Sequence, residues 1–225
     1  MGFKVMGWDA SGPLVTVGYI DDGVRVGEIS IHGARLAGSH LVEWIGEQAQ
    51  IFGKPDGLAV GIGPGSFTGV RIALTAAKAM GFGWGIPVKG VSSLAAWASS
   101  VGGGQRVVVT SERRGPAFYL GYYWAKEGGV QPFMKDVAVS GELPAPFPVP
   151  HDVVVVGPAS EDPHLLASIG PRARACRRDL SGVEVARLGW PTLQWGKADD
   201  LVGLAPAYLR PPAITQPNEV NHGTP

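Results

Sequence analysis

Gly61-Ile62-Gly63-Pro64-Gly65-Ser66-Phe67-Thr68-Gly69-Val70-Arg71 is the stretch whose residue types and spacing point most directly to chemistry. It holds four glycines and a proline and joins a β-like run, Leu58 to Ile62, to a helix-like run, Val70 to Trp84. Ser66 and Thr68 can each cap that helix by accepting from its free N–H groups. Backbone N–H groups brought together at a helix N-terminus receive anions, phosphate above all. Neither common nucleotide loop matches, however. A P-loop needs Lys and then Ser or Thr after its second glycine, where this chain has Ser66-Phe67. The dinucleotide pattern finds two glycines in Gly61 and Gly63 but meets Ser66 at the third, and Pro64 has no N–H to offer. Gly63, Pro64, Gly65, Ser66, Thr68 and Gly69 therefore form either a structural turn that lets helix and strand pack closely or a direct anion site. The residues alone leave both open.

Other reactive side chains lack companions. Ser66 as a nucleophile needs a His and an acid to activate it, and no such pair is placed beside it by sequence. His32, His40, His151, His164 and His222 show no metal-type spacing. His40, early in an expected helix, reads as a solvated or capping histidine or as an interface residue. Arg172, Arg174, Arg177 and Arg178 form a basic cluster, either a solvated face or a contact for a nucleic-acid backbone. Cys176 inside that cluster is the only cysteine, which excludes an internal disulfide and a cysteine-cluster metal site and fits a reducing cytoplasm.

The elements that must position these residues follow from periodicity. Val5 to Asp9, Leu14 to Ile20 and Val24 to Ile31 read as strands, with Asp21-Asp22-Gly23 as the hairpin turn between the last two. Leu36 to Phe52 reads as a helix with Leu41, Ile45, Ala49 and Phe52 on one stripe. The second helix, Val70 to Trp84, carries only Arg71 and Lys78 as charges and is otherwise dominated by Ala and Gly. Little of it can face water, so a sheet, a partner or both must cover it. Ile86 to Val88 reads as a short strand, followed by a helix to Ser99 capped by Ser92 or Ser93. Gly102-Gly103-Gly104 reads as a lobe boundary. Beyond it, Arg106 to Thr110, Phe118 to Trp124 and Val153 to Val156 are expected strands, Asp162 to Ile169 and Val183 to Leu188 expected helices, and Ala207 to Arg210 a final extended segment. Each half opens with strands and passes to a helix, which suggests distant repeats.

At 225 residues with 45% hydrophobic content the chain can bury a substantial core. Its formal net charge is 0, so no global field draws it to nucleic acid or to a membrane. No apolar run approaches the ~18 residues of a membrane span, and Met1-Gly2-Phe3-Lys4 leads into a strand rather than a signal peptide.

Gly63 through Arg71, then Ala77-Lys78, Ile86-Pro87 and Gly90-Val91-Ser92-Ser93-Leu94, resemble the bacterial TsaB (YeaZ) family. The resemblance is dense over Leu58 to Leu94. It extends to Arg113-Arg114-Gly115 with Phe118-Tyr119 and to Pro206-Ala207-Tyr208-Leu209-Arg210. The chain departs from the family at Asp9-Ala10-Ser11, at Pro116-Ala117 and at Gly38-Ser39-His40. The resemblance implies an α/β fold of the actin-like, ribonuclease-H-like kind, with two lobes of mixed sheets flanked by helices. The lobes would be residues 1–101, carrying partner-binding helices, and a smaller 105–210, with 211–225 a disordered tail. It also implies a non-catalytic cytoplasmic subunit supporting the TsaD transferase, which forms the threonylcarbamoyl group on adenosine 37 of tRNAs reading codons that begin with adenine. A TsaE-type ATPase would bind the assembled pair, tRNA would be reached through the complex, and the chain would form a homodimer when alone.

In that fold Asp9 stands where ATPases place a carboxylate that organises magnesium and phosphates, with Ser11 and Gly12 in its loop. The strand Val153 to Val156 is followed by Gly157-Pro158 instead of a double glycine, so the nucleotide site reads as eroded, with a working ATPase or small-molecule kinase as the alternative. The chain is expected to hold no cofactor of its own, with ATP and magnesium at a complex interface. Where the sister transferase family has a Val-Asn-His-x-x-x-His metal motif, this chain has Ser93 and Trp97 at the histidine positions, which argues against a metal there. The partner contact implied by the resemblance is a four-helix one, centred on Leu41, Ile45, Val70, Ala73, Leu74 and Ala77, with His40, Arg71 and Lys78 as polar neighbours.

Overall fold

The computed structural model describes residues 2–33, 37–113, 115 and 117–210. The expected helix start at Leu36, Arg114 of the resembling Arg113-Arg114-Gly115 segment, the departure at Pro116, and the tail 211–225 lie outside the described residues. The first sheet is built from β1 (Lys4–Asp9), β2 (Leu14–Asp21), β3 (Val24–His32), β4 (Gly57–Gly61) and β5 (Val88–Val91). The second is built from β6 (Gln105–Thr110), β7 (Ala117–Lys126), β8 (Gly129–Pro132), β9 (Val137–Ser140), β10 (Val153–Val156) and β11 (Ala173–Ala175). The helices are α1 (Ala37–Phe52), α2 (Phe67–Trp84), α3 (Ser93–Ser99), α4 (Pro163–Ile169) and α5 (Gly182–Gln194). The β2–β3 turn forms where it was expected. Asp21 pairs with Val24, and Asp22 and Gly23 both take positive φ, 46° and 78°, the hand that matches strand twist. None of the helices among the described residues is long and apolar enough to cross a membrane.

The two sheets share one strand order. The first runs β3-β2-β1-β4-β5, with antiparallel pairs on the β2 side of β1 and parallel pairs beyond it. The second runs β8-β7-β6-β10-β11, again antiparallel on one side of β6 and parallel on the other, with β9 on the same edge of β7 as β8. This duplicated arrangement is the actin-like, ribonuclease-H-like fold, and it gives the repeat suspected in the sequence a structural form.

The helices reveal what composition could not. α1 and α2 cover one face of the first sheet, over a core containing Met6, Trp8, Val17, Tyr19, Leu58 and Val60. The opposite face is covered by α5, which comes from the second half of the chain, whereas α3 from the first half packs on β6 and β7. Each half lends a helix to the other's sheet, and one apolar cluster from Val5 to Leu193 runs through both. α5 also extends well past the expected Val183 to Leu188, reaching Gln194 through Pro191. Packing on the sheet outweighs the breaker residues Gly189 and Pro191. α2 begins at Phe67 rather than Val70, and β5 occupies Val88–Val91 rather than Ile86 to Val88.

Candidate functional site

Asp9 ends β1 at the centre of the first sheet and is completely buried. One carboxylate oxygen accepts from the Ser11 N–H at 2.6 Å, and the other accepts from the Ser93 hydroxyl. Ser93 is tied down in turn, because its Oγ accepts from the Gly63 N–H at 3.0 Å and its own N–H donates to the Gly63 carbonyl. The Trp97 ring lies against Gly12, within 3.6 Å of where a Cβ would stand. Ser93 and Trp97, which the resemblance set against the transferase family's histidines, here hold Asp9 and cover its loop.

Burial raises the Asp9 pKa above the ordinary 3.8, with the Ser93 and Ser11 hydrogen bonds opposing it. A carboxyl of this kind contributes stability below its unfolded pKa and loses that contribution as pH rises through its folded pKa. Asn in its place keeps an acceptor for the Ser11 N–H and presents its own N–H to Ser93. Asp9→Asn is therefore expected to raise the melting temperature at neutral pH and to flatten its decline from acid to neutral. Thermal melts over that range check this; a lower melting temperature at neutral pH would count against the role given to Asp9.

The glycine loop presses onto the same turn. Ser66 caps α2 by accepting from the Gly69 N–H, and its own N–H donates to the Ser11 carbonyl at 2.6 Å. Thr68 is not a cap; it is an exposed residue of the first helical turn. A Cβ at Gly69 would overlap the Ala10 carbonyl oxygen, and one at Gly65 the Ser11 carbonyl oxygen. The loop thus packs against the β1–β2 connection at backbone distance, as a structural turn would, with the Ser66 N–H given to Ser11 and the Gly69 N–H to the Ser66 cap. The cleft beside it, lined by Ser11, Gly12, Ser66, Trp97 and Tyr119, encloses about 110 Å³. Small-molecule sites occupy about 300–1,000 Å³. Among the described residues the cleft lining contains no histidine that could activate Ser66.

The expected apolar centre of a partner contact requires correction. Leu41, Ile45, Ala73 and Ala77 are fully buried in the chain's own core, and Val70 and Leu74 nearly so. Leu41, Ile45, Val70, Ala73 and Ala77 hold α1 and α2 on the sheet and present nothing to a partner, while Leu74 keeps only an edge in the surface groove beside Arg71 and Lys78. The outward positions of α2 are Thr68, Arg71, Thr75, Ala79, Phe82 and Gly83, with Phe82 85% exposed. α1 contributes Val42, Glu43, Glu47 and Ile51. Gly38 approaches Ile72 where the two helices meet. His40 stacks on Trp44 at 5.7 Å and contacts Glu43 at 3.2 Å. Arg71 and Lys78 do lie on the open side, next to the segment Asp199 to Tyr208, of which the sequence assigned only the end, from Pro206 on. In the basic cluster, Arg177 is engaged bidentately by Glu161 and Arg174 donates to Gln105, leaving Arg172 and Arg178 as exposed charges.

Comparison with known proteins fits this geometry. Residues 39–133 match the family model for TsaD, tRNA N6-adenosine threonylcarbamoyltransferase. The chain is 32% identical over 219 residues to an uncharacterized protein of Mycobacterium tuberculosis, covering 92% of each. It is 31% identical over 165 residues to the tRNA threonylcarbamoyladenosine biosynthesis protein TsaB of Bacillus subtilis, covering 68% of this chain and 69% of that protein. Among solved structures, YeaZ from Pseudomonas aeruginosa superposes with a TM-score of 0.76 at 22% identity, over 92% of this chain and all of the other.

Proposed function

The chain belongs to the TsaB (YeaZ) family, and from that premise we propose that it acts in threonylcarbamoyladenosine biosynthesis as the non-catalytic subunit that binds and supports the TsaD transferase on tRNA. The observation that carries this reading is the outward face of α1 and α2. It is uncovered by the described chain, and α2 displays there Thr75, Ala79 and Phe82 between Arg71 and the helix end. The TsaD family model matches 39–133, a range that includes α2 and nearly all of α1. The transferase is thus expected to carry cognate helices, and related surfaces can pair in a pseudo-twofold arrangement. The same face would support a homodimer of this chain when the transferase is absent.

The sealed state of Asp9 supports a binding role over an independent ATPase or kinase. Both carboxylate oxygens are engaged and neither meets solvent, while a magnesium–phosphate site needs an accessible carboxylate. ATP and magnesium are assigned to the assembled complex, where a TsaE-type ATPase would dock.

Size-exclusion chromatography with light scattering, on the chain alone and mixed with the TsaD of the same organism, tests the reading. A one-to-one complex replacing a self-associated species is the expected result. Absence of any complex at micromolar concentration, combined with ATP binding that Asp9→Ala abolishes, would overturn it in favour of the ATPase.

A further inference from the structure

Two cations on α2 stand beside the C-terminal segment, and that segment fixes both. The Arg71 guanidinium lies over the Phe67 ring, 3.8 Å from its centroid, and its Nε donates to Tyr208 Oη at 2.8 Å. Phe67 and Tyr208 stack with centroids 5.4 Å apart. The guanidinium is therefore held from one face and one edge, with its terminal N–H groups unspent in these contacts. Two turns along, Lys78 Nζ donates to the Val202 carbonyl at 3.1 Å, which occupies one of its three protons. The segment is itself anchored to the sheet edge. Asp199 accepts from the Gly90 N–H at 2.8 Å and from Lys89 Nζ at 2.6 Å, and the Ala207 N–H donates to the Ile62 carbonyl at 2.8 Å.

A groove of about 450 Å³ runs between α2 and this segment, lined by Arg71, Leu74, Thr75, Lys78 and Leu204 among others. Among the described residues neither cation has a carboxylate partner. Cations held by neutral acceptors keep their whole charge, and side chains already immobilised lose little freedom when an anion arrives. The Arg71 fork is suited to a planar, two-oxygen acceptor.

We propose that this groove receives a carboxylate side chain from the partner helix that packs along α2, with Tyr208 positioning Arg71 for it. The inference rests on the partner-subunit reading above and adds to it the chemistry of the partner and a role for the C-terminal segment. A protein carboxylate is favoured over an RNA phosphate by the setting. The cations share the groove with Leu74, Leu204 and Pro206. The chain's net charge of 0 supplies no field to steer a polyanion.

Titration calorimetry of the full chain with the TsaD subunit of the same organism, at low and high salt, tests the proposal. The double variant Arg71→Glu, Lys78→Glu is expected to raise Kd by at least about 30-fold, as for a charged pair at an interface, and to lose the salt dependence of the wild type. Tyr208→Phe, which keeps every charge, is expected to raise Kd by about 3-fold or more through loss of the guanidinium anchor. Arg71→Gln, Lys78→Gln provides a milder variant should the reversed pair fold poorly. A reversed pair that binds within about two-fold of wild type, while Thr75→Arg abolishes the complex, overturns the carboxylate groove and leaves the partner-subunit reading standing. If neither change alters binding, the carboxylate groove fails together with the α2 face as the contact, while the partner-subunit reading stands. A reversed pair that keeps its Kd for TsaD but loses salt-sensitive binding to tRNA overturns the proposal in favour of a phosphate contact.

Discussion

Thr75→Arg is expected to weaken pairing with the transferase subunit by at least about 100-fold and to leave the free chain folded, whereas Ala77→Asp is expected to unfold it. The two residues are two positions apart on α2 and differ in which way they face. Thr75 is exposed at the rim of the Arg71–Lys78 groove, so an added guanidinium costs the monomer nothing but places a bulky third cation in the middle of a close helix contact. Ala77 has no exposure and sits in the cluster with Leu41, Ile45, Leu58 and Val60. A carboxylate there has no partner and loses its hydration, a cost of several kcal/mol, comparable with much of a domain's stability. Circular dichroism melts and light scattering on both variants separate the outcomes. A folded, unpaired Ala77→Asp variant would show that this face of α2 is the contact after all. A Thr75→Arg variant that still forms the complex at wild-type affinity would place the contact elsewhere on the molecule.

This contrast also marks how far the sequence could be read. The short strands of the first half, the β2–β3 hairpin and the Ser66 cap were legible because each rests on local chemistry: alternation, a two-residue turn with Gly at its second position, and a hydroxyl before a helix. The glycine loop was legible as a turn or an anion site, but the choice between them depended on the Ala10 and Ser11 carbonyls, more than 50 positions away. The facing of α2 was not legible. With Ala at 73, 76, 77 and 79 the apolar period is nearly flat, and only tertiary packing separates Ala73 and Ala77 from Thr75 and Ala79. The exchange of α3 and α5 between the sheets left no local mark, because it is a property of connections. The Arg71–Phe67–Tyr208 cluster spans 137 positions between its hydrogen-bonded members and had no signal beyond the recurrence of aromatic and basic residues.

Gly182→Val is expected to remove at least about 3 kcal/mol of stability and to lower the melting temperature by about 10 °C, or to prevent recovery of folded protein. α5 lies on the first sheet almost backbone to backbone. A Cβ at Gly182 would overlap the Gly18 nitrogen and crowd the Gly7 carbonyl oxygen, and one at Gly18 would overlap the Val183 nitrogen. Neither neighbour is a flexible side chain, so the helix itself must lift. Its other inward residues lie farther along the same face: Ala186 against Gly7, Gly189 against Ala59, and Leu193 within 3.2 Å of a Cβ position at Gly57. Lifting the N-terminal end also breaks the hydrogen bond from the Gly182 N–H to Thr16 Oγ1, 2.9 Å long, and the Ser181–Glu28 contact beside it. The displaced helix belongs to the shared core that contains Leu94, Val107 and Val156, so the disturbance reaches the second sheet and is not confined to the first. Gly46→Ala is the matching control. No atom lies within 4 Å of a Cβ there, and replacing a helical glycine by alanine stabilises by about 1 kcal/mol. Opposite shifts in melting temperature for the two variants would identify the α5 seam as the joint between the halves. An unchanged melting temperature for Gly182→Val would mean that α5 is not seated on the sheet in solution.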